Sequence, residues 1–343
     1  MTTRLDQKLA NIRAGRYKRA DFIIADAKDP DMGPAIGGMG PKREADGSSS
    51  RYRTRQEFLD EIRALIRQDI LDIMLVSASN LEALVEEGAF RDSRIKPAIR
   101  ANDATDIWQV RNGAYVQQPS RPFRSASLPR VINGTLGAAP GEPVKLTDLG
   151  LYSITFNNDL EADLRSLEAF RAFREEAGAL GFKYFLEVFN PNAPRGLTPE
   201  QVPAFVNDCI ARCLAGVVKA DRPQFLKIAY NGPKALEELA SFDPSLIVGV
   251  LGGGAGTTRD TFELLHQAER YGARVALFGR KINLAESQLD IVSLMREVAD
   301  GTVSPAEAVK AYHGRLQKLG RTPLRPLEDD LQVTEAALKQ AAS

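Results

Sequence analysis

The feature that most constrains this chain is a series of eight short apolar runs with helical segments between them. Each run has the length of a buried strand and is flanked by turn residues or charges, which is typical of a parallel sheet covered on its outside. The simplest structure for eight such strands is a closed (β/α)8 barrel, and an open doubly wound sheet is the alternative. The runs are Phe22–Ala25, Ile73–Val76, Ile95–Ile99, Tyr152–Phe156, Tyr184–Val188, Phe225–Ala229, Leu246–Leu251 and Val275–Phe278.

Three predicted helices begin with the same hydrogen-bonding signature. A Ser or Thr stands three residues before a Glu or Gln and just ahead of an apolar helical face, which is the capping-box pattern. The three signatures are Thr54–Glu57, Thr198–Gln201 and Ser304–Glu307. Before the first apolar run, Leu5 and Leu9 have helical spacing, so we predict a short N-terminal helix that covers the bottom of the barrel.

Two long irregular segments follow the first and third runs. Residues 27–53 contain GPAIGGMGPK, and residues 104–150 show no sustained helical period. Because both segments follow strands, they would lie on the face where barrel enzymes bind substrates, as lids or subunit arms. We therefore predict one barrel domain over residues 1–343, with these two long loops and a C-terminal helical extension at 304–343.

Charge and cysteine content exclude several classes of function. The 343 residues include 45 Lys and Arg against 45 Asp and Glu, so the chain lacks the net charge that draws proteins to nucleic acid or an anionic membrane. No apolar run approaches the ~18 residues of a membrane span, and the N-terminal stretch is too polar for a secretory leader. Two cysteines do not make a disulfide framework. We expect a cytoplasmic protein with neither a nucleic-acid nor a membrane partner.

Histidine, the commonest general acid–base residue, is as scarce in this chain as cysteine. The chain has only His266 and His313, and both lie in predicted amphipathic helices. This argues against histidine-rich zinc sites and Ser-His-Asp machinery. Cys209 and Cys213, four residues apart on an apolar helical face, are interpreted as core residues rather than ligands. We predict a site without a metal ion, built from carboxylates, lysines, tyrosines and backbone amides.

Lys227 is the most informative single residue. It interrupts the sixth run, FLKIA, at a position where an apolar residue is expected. Burial disfavours a charged ammonium, and the free amine of a lysine attacks carbonyl carbons. We interpret Lys227 as a candidate nucleophile. The alternatives are that this strand faces solvent or that Lys227 forms a purely structural ion pair with Asp26 or Glu187.

Two loops after the seventh and eighth runs are suited to an anion. Gly252–Gly254 open the sequence GGGAGTT, which leads into a helix, and Gly279–Arg280 follow the eighth run. Glycines let backbone amides approach a phosphate, and these two loops form the recurrent phosphate site of barrel enzymes. A tight strand-to-helix turn is the alternative interpretation of the glycines.

The other polar residues at strand ends complete the candidate set. Asp26 and Glu187 are candidate proton-transfer groups, with loop capping and a buried ion pair as their respective alternatives. Tyr230, three residues after Lys227, either donates a hydrogen bond to a carbonyl or serves packing. Lys28 and Asn157 are candidate substrate-binding residues.

Two blocks of this sequence resemble the class I, Schiff-base aldolases. QFLKIAYNGP and LIVGVLGGGAGTTRDTFELLHQAERYGARVALFGRKI are similar to archaeal-type fructose-bisphosphate aldolases, with deoxyribose-phosphate and tagatose-bisphosphate aldolases as more distant relatives. The resemblance implies that Lys227 forms the Schiff base and that Gly252–Gly254 and Gly279–Arg280 hold phosphate. FIIADAKDPDMGP resembles the first strand of the family, whose aspartate corresponds to Asp26.

The chain departs from that family in three places. It reads FLEVFNPNAP where the fructose-bisphosphate branch has a catalytic tyrosine after strand five, so Glu187 or Asn190 occupies that region. It lacks the histidine-glycine pair that usually follows the first strand. The segment 104–150 has no counterpart in the family.

The resemblance implies a metal-independent class I aldolase that needs no cofactor, forms a homo-oligomer and acts on a phosphorylated or similarly anionic ketose. Lys227 would form the iminium, Asp26 or Glu187 would take the proton from the C4 hydroxyl, and Tyr230 would assist. Alternatives are a phosphosugar isomerase or transaldolase, a Mg²⁺-dependent enolate lyase using Asp26, Asp103 and Glu187, and a non-catalytic ligand-binding barrel.

Overall fold

The computed structural model describes residues 3–137 and 141–340. Within them, eight parallel strands close into a barrel in the order β1-β8-β7-β6-β5-β4-β3-β2, which confirms the (β/α)8 prediction. The barrel strands are β1 (Ile23–Lys28), β2 (Ile73–Val76), β3 (Lys96–Arg100), β4 (Leu149–Thr155), β5 (Lys183–Phe189), β6 (Leu226–Ile228), β7 (Gly249–Leu251) and β8 (Val275–Phe278).

Helices cover the outside of the barrel. In the described ranges they are α1 (Arg4–Arg13), α2 (Arg55–Gln68), α3 (Ala78–Glu86), α4 (Leu128–Asn133), α5 (Leu160–Leu180), α6 (Val202–Ala215), α7 (Pro233–Phe242), α8 (Thr258–Arg270), α9 (Arg280–Asn283), α10 (Gln288–Asp300), α11 (Pro305–Lys318), α12 (Leu327–Asp330) and α13 (Ala336–Lys339). The capping boxes at Thr54 and Ser304 form as predicted. The signature at Thr198 does not form a capping box at the start of α6. The Thr198 amide donates to the Gln201 side chain at 2.9 Å, and α6 begins one residue later, at Val202.

Side chains of each strand alternate between two apolar cores. Ile23, Ala25 and Ala27 of β1 point into the barrel, whereas Ile24 packs in the outer core between the sheet and the helices. By the same alternation Phe185 of β5 and Phe225 beside β6 face inward, where their rings stack at 4.7 Å. This alternation decides which polar residues at the strand ends reach the barrel interior.

The N-terminal helix closes the bottom of the barrel, as predicted. Leu5 and Leu9 of α1 belong to the interior core. Lys8 on the same helix is buried and forms an ion pair of 2.9 Å with Asp72, which stands just before β2. The substrate face must therefore be the opposite end, where the strands terminate.

The long segments after β1 and β3 meet on that open face. The first contains the 3-10 turns Pro30–Met32 and Ala35–Met39, and the second contains a two-stranded ribbon of Asp103–Ala104 with Pro122–Phe123. A Cβ on Gly33 would lie 2.9 Å from the Ile107 carbonyl oxygen, so the two segments touch through their backbones.

The C-terminal segment returns to the glycine loop after β7. Asp330 accepts a hydrogen bond of 2.7 Å from the Thr258 amide, and the Thr334 amide donates one of 2.7 Å to Asp260. Leu338 is buried against the outer core. In residues 3–137 and 141–340 no helix is both long and apolar enough to cross a membrane.

Candidate active site

A cavity of about 300 Å³ opens at the carboxyl ends of the barrel strands. Strands that are distant in sequence contribute to it, because all parallel strands of a barrel end on the same face. Its charged lining residues are Asp29, Arg100, Glu187, Lys227 and Arg280. Its other lining residues include Pro30, Met32, Gly33, Ile107, Gln109, Phe189, Gly252, Gly253, Gly279 and Asn283.

Lys227 and Glu187 form the centre of the cavity. The Lys227 Nζ lies 2.5 Å from Glu187 Oε1, and the two residues are 5% and 1% exposed. They are paired in register on the adjacent strands β5 and β6, and the side chains of both point into the barrel. The ion pair with Glu187 that the sequence left open is therefore present, and it lies in the cavity.

Arg100 extends this pair into a buried network. Its guanidinium donates to Asp29 at 2.5 Å, to Ser153 at 3.0 Å and to the second oxygen of Glu187 at 3.1 Å. Three strands and the loop after β1 are thereby tied to the lysine. A carboxylate that is held from one side by Arg100 and contacts Lys227 from the other is fixed for proton exchange with that lysine.

Asp29, which the sequence analysis did not select, is the carboxylate of the first strand that reaches the cavity. It continues the inward phase of Ala25 and Ala27. Burial alone would raise the pKa of Asp29, but the charges of Arg100 and Lys227 outweigh burial and hold that pKa below its ordinary value. Asp29 thus stays ionised and orients Arg100. The two-residue alternation beyond Ala25 was the signal that could have found it.

Asp26 and Lys28 do not line this cavity. They share the outward phase of Ile24, and both are 0% exposed between β1 and the helices. Lys28 donates to Gln288 at 2.6 Å and to Asn283 at 3.2 Å. Its Nζ is 3.6 Å from Asp26, and neither Asp26 oxygen has a hydrogen-bond partner among the described residues.

Burial raises the pKa of Asp26 to about 7, and Lys28 offsets this effect only in part. Between about pH 4 and pH 7, Asp26 is therefore protonated in the folded state, whereas it is ionised in the unfolded chain. We expect the free energy of unfolding to fall as the pH rises through this window, by roughly 1.4 kcal/mol per pH unit from this group. The free energy of unfolding of Asp26→Asn, measured by urea unfolding at pH 5, 6 and 7, should lack this pH dependence. Equal pH dependence in wild type and variant would contradict it.

The predicted anion site is only partly available. The start of α8 is already satisfied, since the amides of Thr257 and Asp260 bond each other's side chains and that of Thr258 donates to Asp330. These three amides are therefore not free for an anion, because the capping box and Asp330 of the C-terminal segment supply their acceptors. Gly253, with φ +64°, lines the cavity, whereas Gly254 is exposed outside it.

Arg280 is the cation that lines the cavity where β7 and β8 end. Among the described residues its side chain has no ion-pair or hydrogen-bond partner, whereas the neighbouring Lys281 is paired with Glu335 at 2.7 Å. Gly279 approaches β1 closely, since a Cβ there would lie 3.0 Å from the Ala27 carbonyl oxygen. Arg280, Gly253 and Gly279 together leave a basic rim beside β7 and β8.

We expect Arg280→Ala to weaken the binding of a phosphorylated substrate. A hydrogen bond to a charged group contributes about 1.5–3 kcal/mol, and the exposed rim favours the lower figure, so KM should rise roughly 10-fold with little change in kcat. Arg270→Ala, which removes an exposed arginine at the far end of α8, is the matched control. Steady-state kinetics that are the same for both variants would place the phosphate elsewhere.

Tyr230 and Asn157 also lie outside the cavity lining. The Tyr230 hydroxyl donates to Gln267 of α8 at 2.7 Å, and its ring packs against the outer core. Asn157 is buried and fastens the loop after β4, accepting from the Ala193 amide at 2.8 Å and donating to Asn192 at 3.0 Å. Asn190 is paired with Asn231. These contacts are structural, and none brings the side chain to Lys227.

The residues named for the magnesium alternative are not assembled into one site. Asp26 lies in the outer core, Asp103 accepts from Ser125 at 2.8 Å, and Glu187 is engaged by Lys227 and Arg100. Within residues 3–137 and 141–340, no group of three or more His, Cys, Asp or Glu side chains has the geometry to hold a metal ion. Cys209 and Cys213 are free thiols on α6, and burial raises the pKa of both to about 12.

Comparisons with known proteins identify similar barrels. No protein-family model matches the chain, and no curated protein matches it significantly. A crystal structure of an archaeal fructose 1,6-bisphosphate aldolase covers 87% of this chain and 99% of its own, with TM-score 0.58 and 16% identity. A second structure, of an archaeal fructose-1,6-bisphosphate aldolase with the catalytic Lys covalently bound to the carbinolamine intermediate of the substrate, has TM-score 0.58, 16% identity and coverages of 87% and 100%.

A third solved structure is also similar to this chain. Fructose-bisphosphate aldolase from Slackia heliotrinireducens superimposes with TM-score 0.61 at 12% identity and covers 91% of each chain. The resemblance to class I aldolases stated from the sequence is thus confirmed for the fold. At such identities the activity of the chain has to be argued from its own site.

Proposed function

We propose that this chain is a class I aldolase that cleaves or forms a carbon–carbon bond in a phosphorylated ketose through a Schiff base on Lys227. The observation that carries the proposal is the buried contact of 2.5 Å between Lys227 Nζ and Glu187 Oε1 inside the cavity. The similar barrel of an aldolase whose catalytic Lys is covalently bound to a carbinolamine supports it.

Glu187 is suited to both proton transfers that build the iminium. It takes a proton from the Lys227 ammonium, and the free amine then adds to the ketone carbon to give a carbinolamine. Glu187 returns that proton to the carbinolamine hydroxyl, which leaves as water, and the nitrogen becomes a protonated iminium. Arg100 holds the second Glu187 oxygen at 3.1 Å and keeps the carboxylate in place during both transfers.

Cleavage then uses the iminium as an electron sink. A base, again Glu187, removes the proton of the C4 hydroxyl, and the C3–C4 bond breaks with its electron pair moving into the iminium. The aldehyde leaves, and the resulting enamine is protonated at C3 and hydrolysed to release the second product and free Lys227. The rim at Arg280, Gly253 and Gly279 would bind the phosphate and orient the ketone.

Borohydride reduction tests this proposal. The full chain is incubated with dihydroxyacetone phosphate and a panel of ketose phosphates in EDTA, reduced and digested, and the peptides are analysed by mass spectrometry. We expect a stable secondary amine on Lys227, the lysine of the FLKIA strand. EDTA excludes a metal-dependent lyase from the result. Turnover of a ketose phosphate with no labelled lysine would rule the Schiff base out and favour an isomerase on the same barrel.

A further inference from the structure

The two ends of the cavity differ in charge. In a closed ring of eight strands, the fourth strand along is the diametrically opposite one, so β3 and β4 face β7 and β8 across the barrel. The β7–β8 end has the glycine loops and Arg280, whose side chain has no partner in the part of the chain that the structure describes. A ketose phosphorylated at both ends would need a second anion site at the β3–β4 end.

Arg100, the arginine of β3 that lines the cavity, already contacts two carboxylates. The Arg100 Nε donates a hydrogen bond to Asp29, Nη1 donates one to Ser153 and Nη2 donates one to Glu187. Two carboxylates already neutralise its charge. A phosphate would have only the two remaining N–H donors of Arg100 to bind, and it would be repelled by the Asp29 and Glu187 carboxylates that contact the same guanidinium.

Two buried carboxylates of the segment after β3 lie near the β3–β4 end, outside the cavity lining. Asp106 is buried and accepts from Ser120 at 2.9 Å and from Thr155 at 2.6 Å. Asp103, also buried, accepts two hydrogen bonds of 2.8 Å from Ser125. Neither forms an ion pair with any described residue. A phosphate bound nearby would meet two negative groups in a region of low dielectric constant, which is unfavourable.

Apart from Asp29, Arg100 and Glu187, which are paired with one another, the wall of the cavity on that side is uncharged. Ile107 and Gln109 come from the segment after β3, Phe189 from the end of β5, and Pro30 and Met32 from the loop after β1. The backbone contact between Gly33 and Ile107 joins the two segments there. Such a surface is complementary to the hydroxyls or carbon chain of a sugar, not to a dianion.

Resting on the aldolase function proposed above, we infer that the substrate is a ketose with a single phosphate, bound at the β7–β8 rim, and that its opposite end is uncharged. Aldol cleavage of such a ketose gives one phosphorylated and one unphosphorylated product. Bisphosphorylated ketoses are then poor substrates, although the structurally similar barrel described above is that of a fructose 1,6-bisphosphate aldolase.

Competition between substrates in borohydride trapping tests this inference. The probes are dihydroxyacetone phosphate, fructose 1-phosphate, fructose 6-phosphate, tagatose 1-phosphate and the 1,6-bisphosphates of fructose and tagatose. The first probe is too short to reach the β3–β4 end, so its labelling of Lys227 reports the proposed function alone. We expect the best monophosphate to label Lys227 at least about 10-fold faster than either bisphosphate, the effect of one unfavourable charge contact of about 1.4 kcal/mol.

A charge added at the far end provides a gain-of-function variant. Gln109 is exposed and lines the cavity, so Gln109→Lys should raise the rate of labelling by the bisphosphates relative to the monophosphates. Gln117→Lys adds the same charge in the same segment outside the cavity lining and should not alter that ratio. If dihydroxyacetone phosphate labels Lys227 and the bisphosphates react as fast as the best monophosphate in the wild type, the single-phosphate inference is overturned and the aldolase stands. If no probe labels any lysine, the aldolase proposal itself fails.

Discussion

Replacing Lys227 with arginine should abolish turnover while leaving the fold intact. Arginine keeps the positive charge beside Glu187, so the buried carboxylate retains a partner, but its guanidinium does not form an iminium. We expect kcat to fall roughly 10⁶-fold, the scale seen when a covalent nucleophile is removed. Borohydride labelling should vanish with it. Circular dichroism and the urea midpoint check that the variant is folded.

Lys183→Arg is the matched control for this experiment. Lys183 is a half-exposed lysine at the start of β5, at the closed end of the barrel, where it pairs with Asp148 at 3.5 Å. Its replacement should leave both turnover and labelling at the wild-type level. A labelled peptide that contains Lys183, or a Lys227→Arg variant that keeps its activity, would show that the cavity is not the reaction site.

Glu187→Gln should be the second most damaging substitution. Glutamine has nearly the shape of glutamate, but an NH2 donor replaces one of the two oxygens with which Glu187 accepts from Lys227 and Arg100. It does not accept the proton of the ammonium or return it to the carbinolamine. General acid–base catalysis contributes about 10²- to 10⁴-fold, and kcat should fall by that factor. Because iminium formation itself is slowed, single-turnover labelling of Lys227 should slow with kcat rather than remain fast.

Asp26→Asn separates the two carboxylates that the sequence left as equal candidates. Asp26 is buried in the outer core and does not line the cavity, so its neutralisation should change kcat far less than Glu187→Gln does. Its effect should appear in the pH dependence of unfolding instead. If Asp26→Asn had wild-type stability and lost as much turnover as Glu187→Gln, Asp26 would have to take part in the reaction.

The outline of the barrel was predictable because it depends on local pattern. Apolar runs of strand length, separated by capped helical segments, leave few other ways to bury the sheet on both faces. Predicted and observed strands coincide at Ile73–Val76 and Val275–Phe278 and differ by a few residues elsewhere. Strand ends shifted where polar residues continue the hydrogen-bonded ladder, as in β1, which runs on to Lys28.

The candidate site was predictable where a residue violates its local pattern. Lys227 and Glu187 interrupt apolar strands, so each had to face either a partner or a ligand, and the structure has them facing each other inside the barrel. Arg100 was visible only as a polar strand end. Its partners lie 71 and 87 residues away in the chain, and no spacing rule connects them.

By itself, the sequence determined the barrel, its closed bottom and the lysine in the sixth strand, because periodicity and burial act over a few neighbouring residues. Only the tertiary structure decided that Asp29, and not Asp26, faces the cavity, since this depends on the phase in which β1 meets β2 and β8. It also decided which amides remain free. The start of α8 is satisfied by Asp330 and the capping Asp260 is held by Thr334, groups that lie over 70 residues further along the chain and reach the loop only through folding.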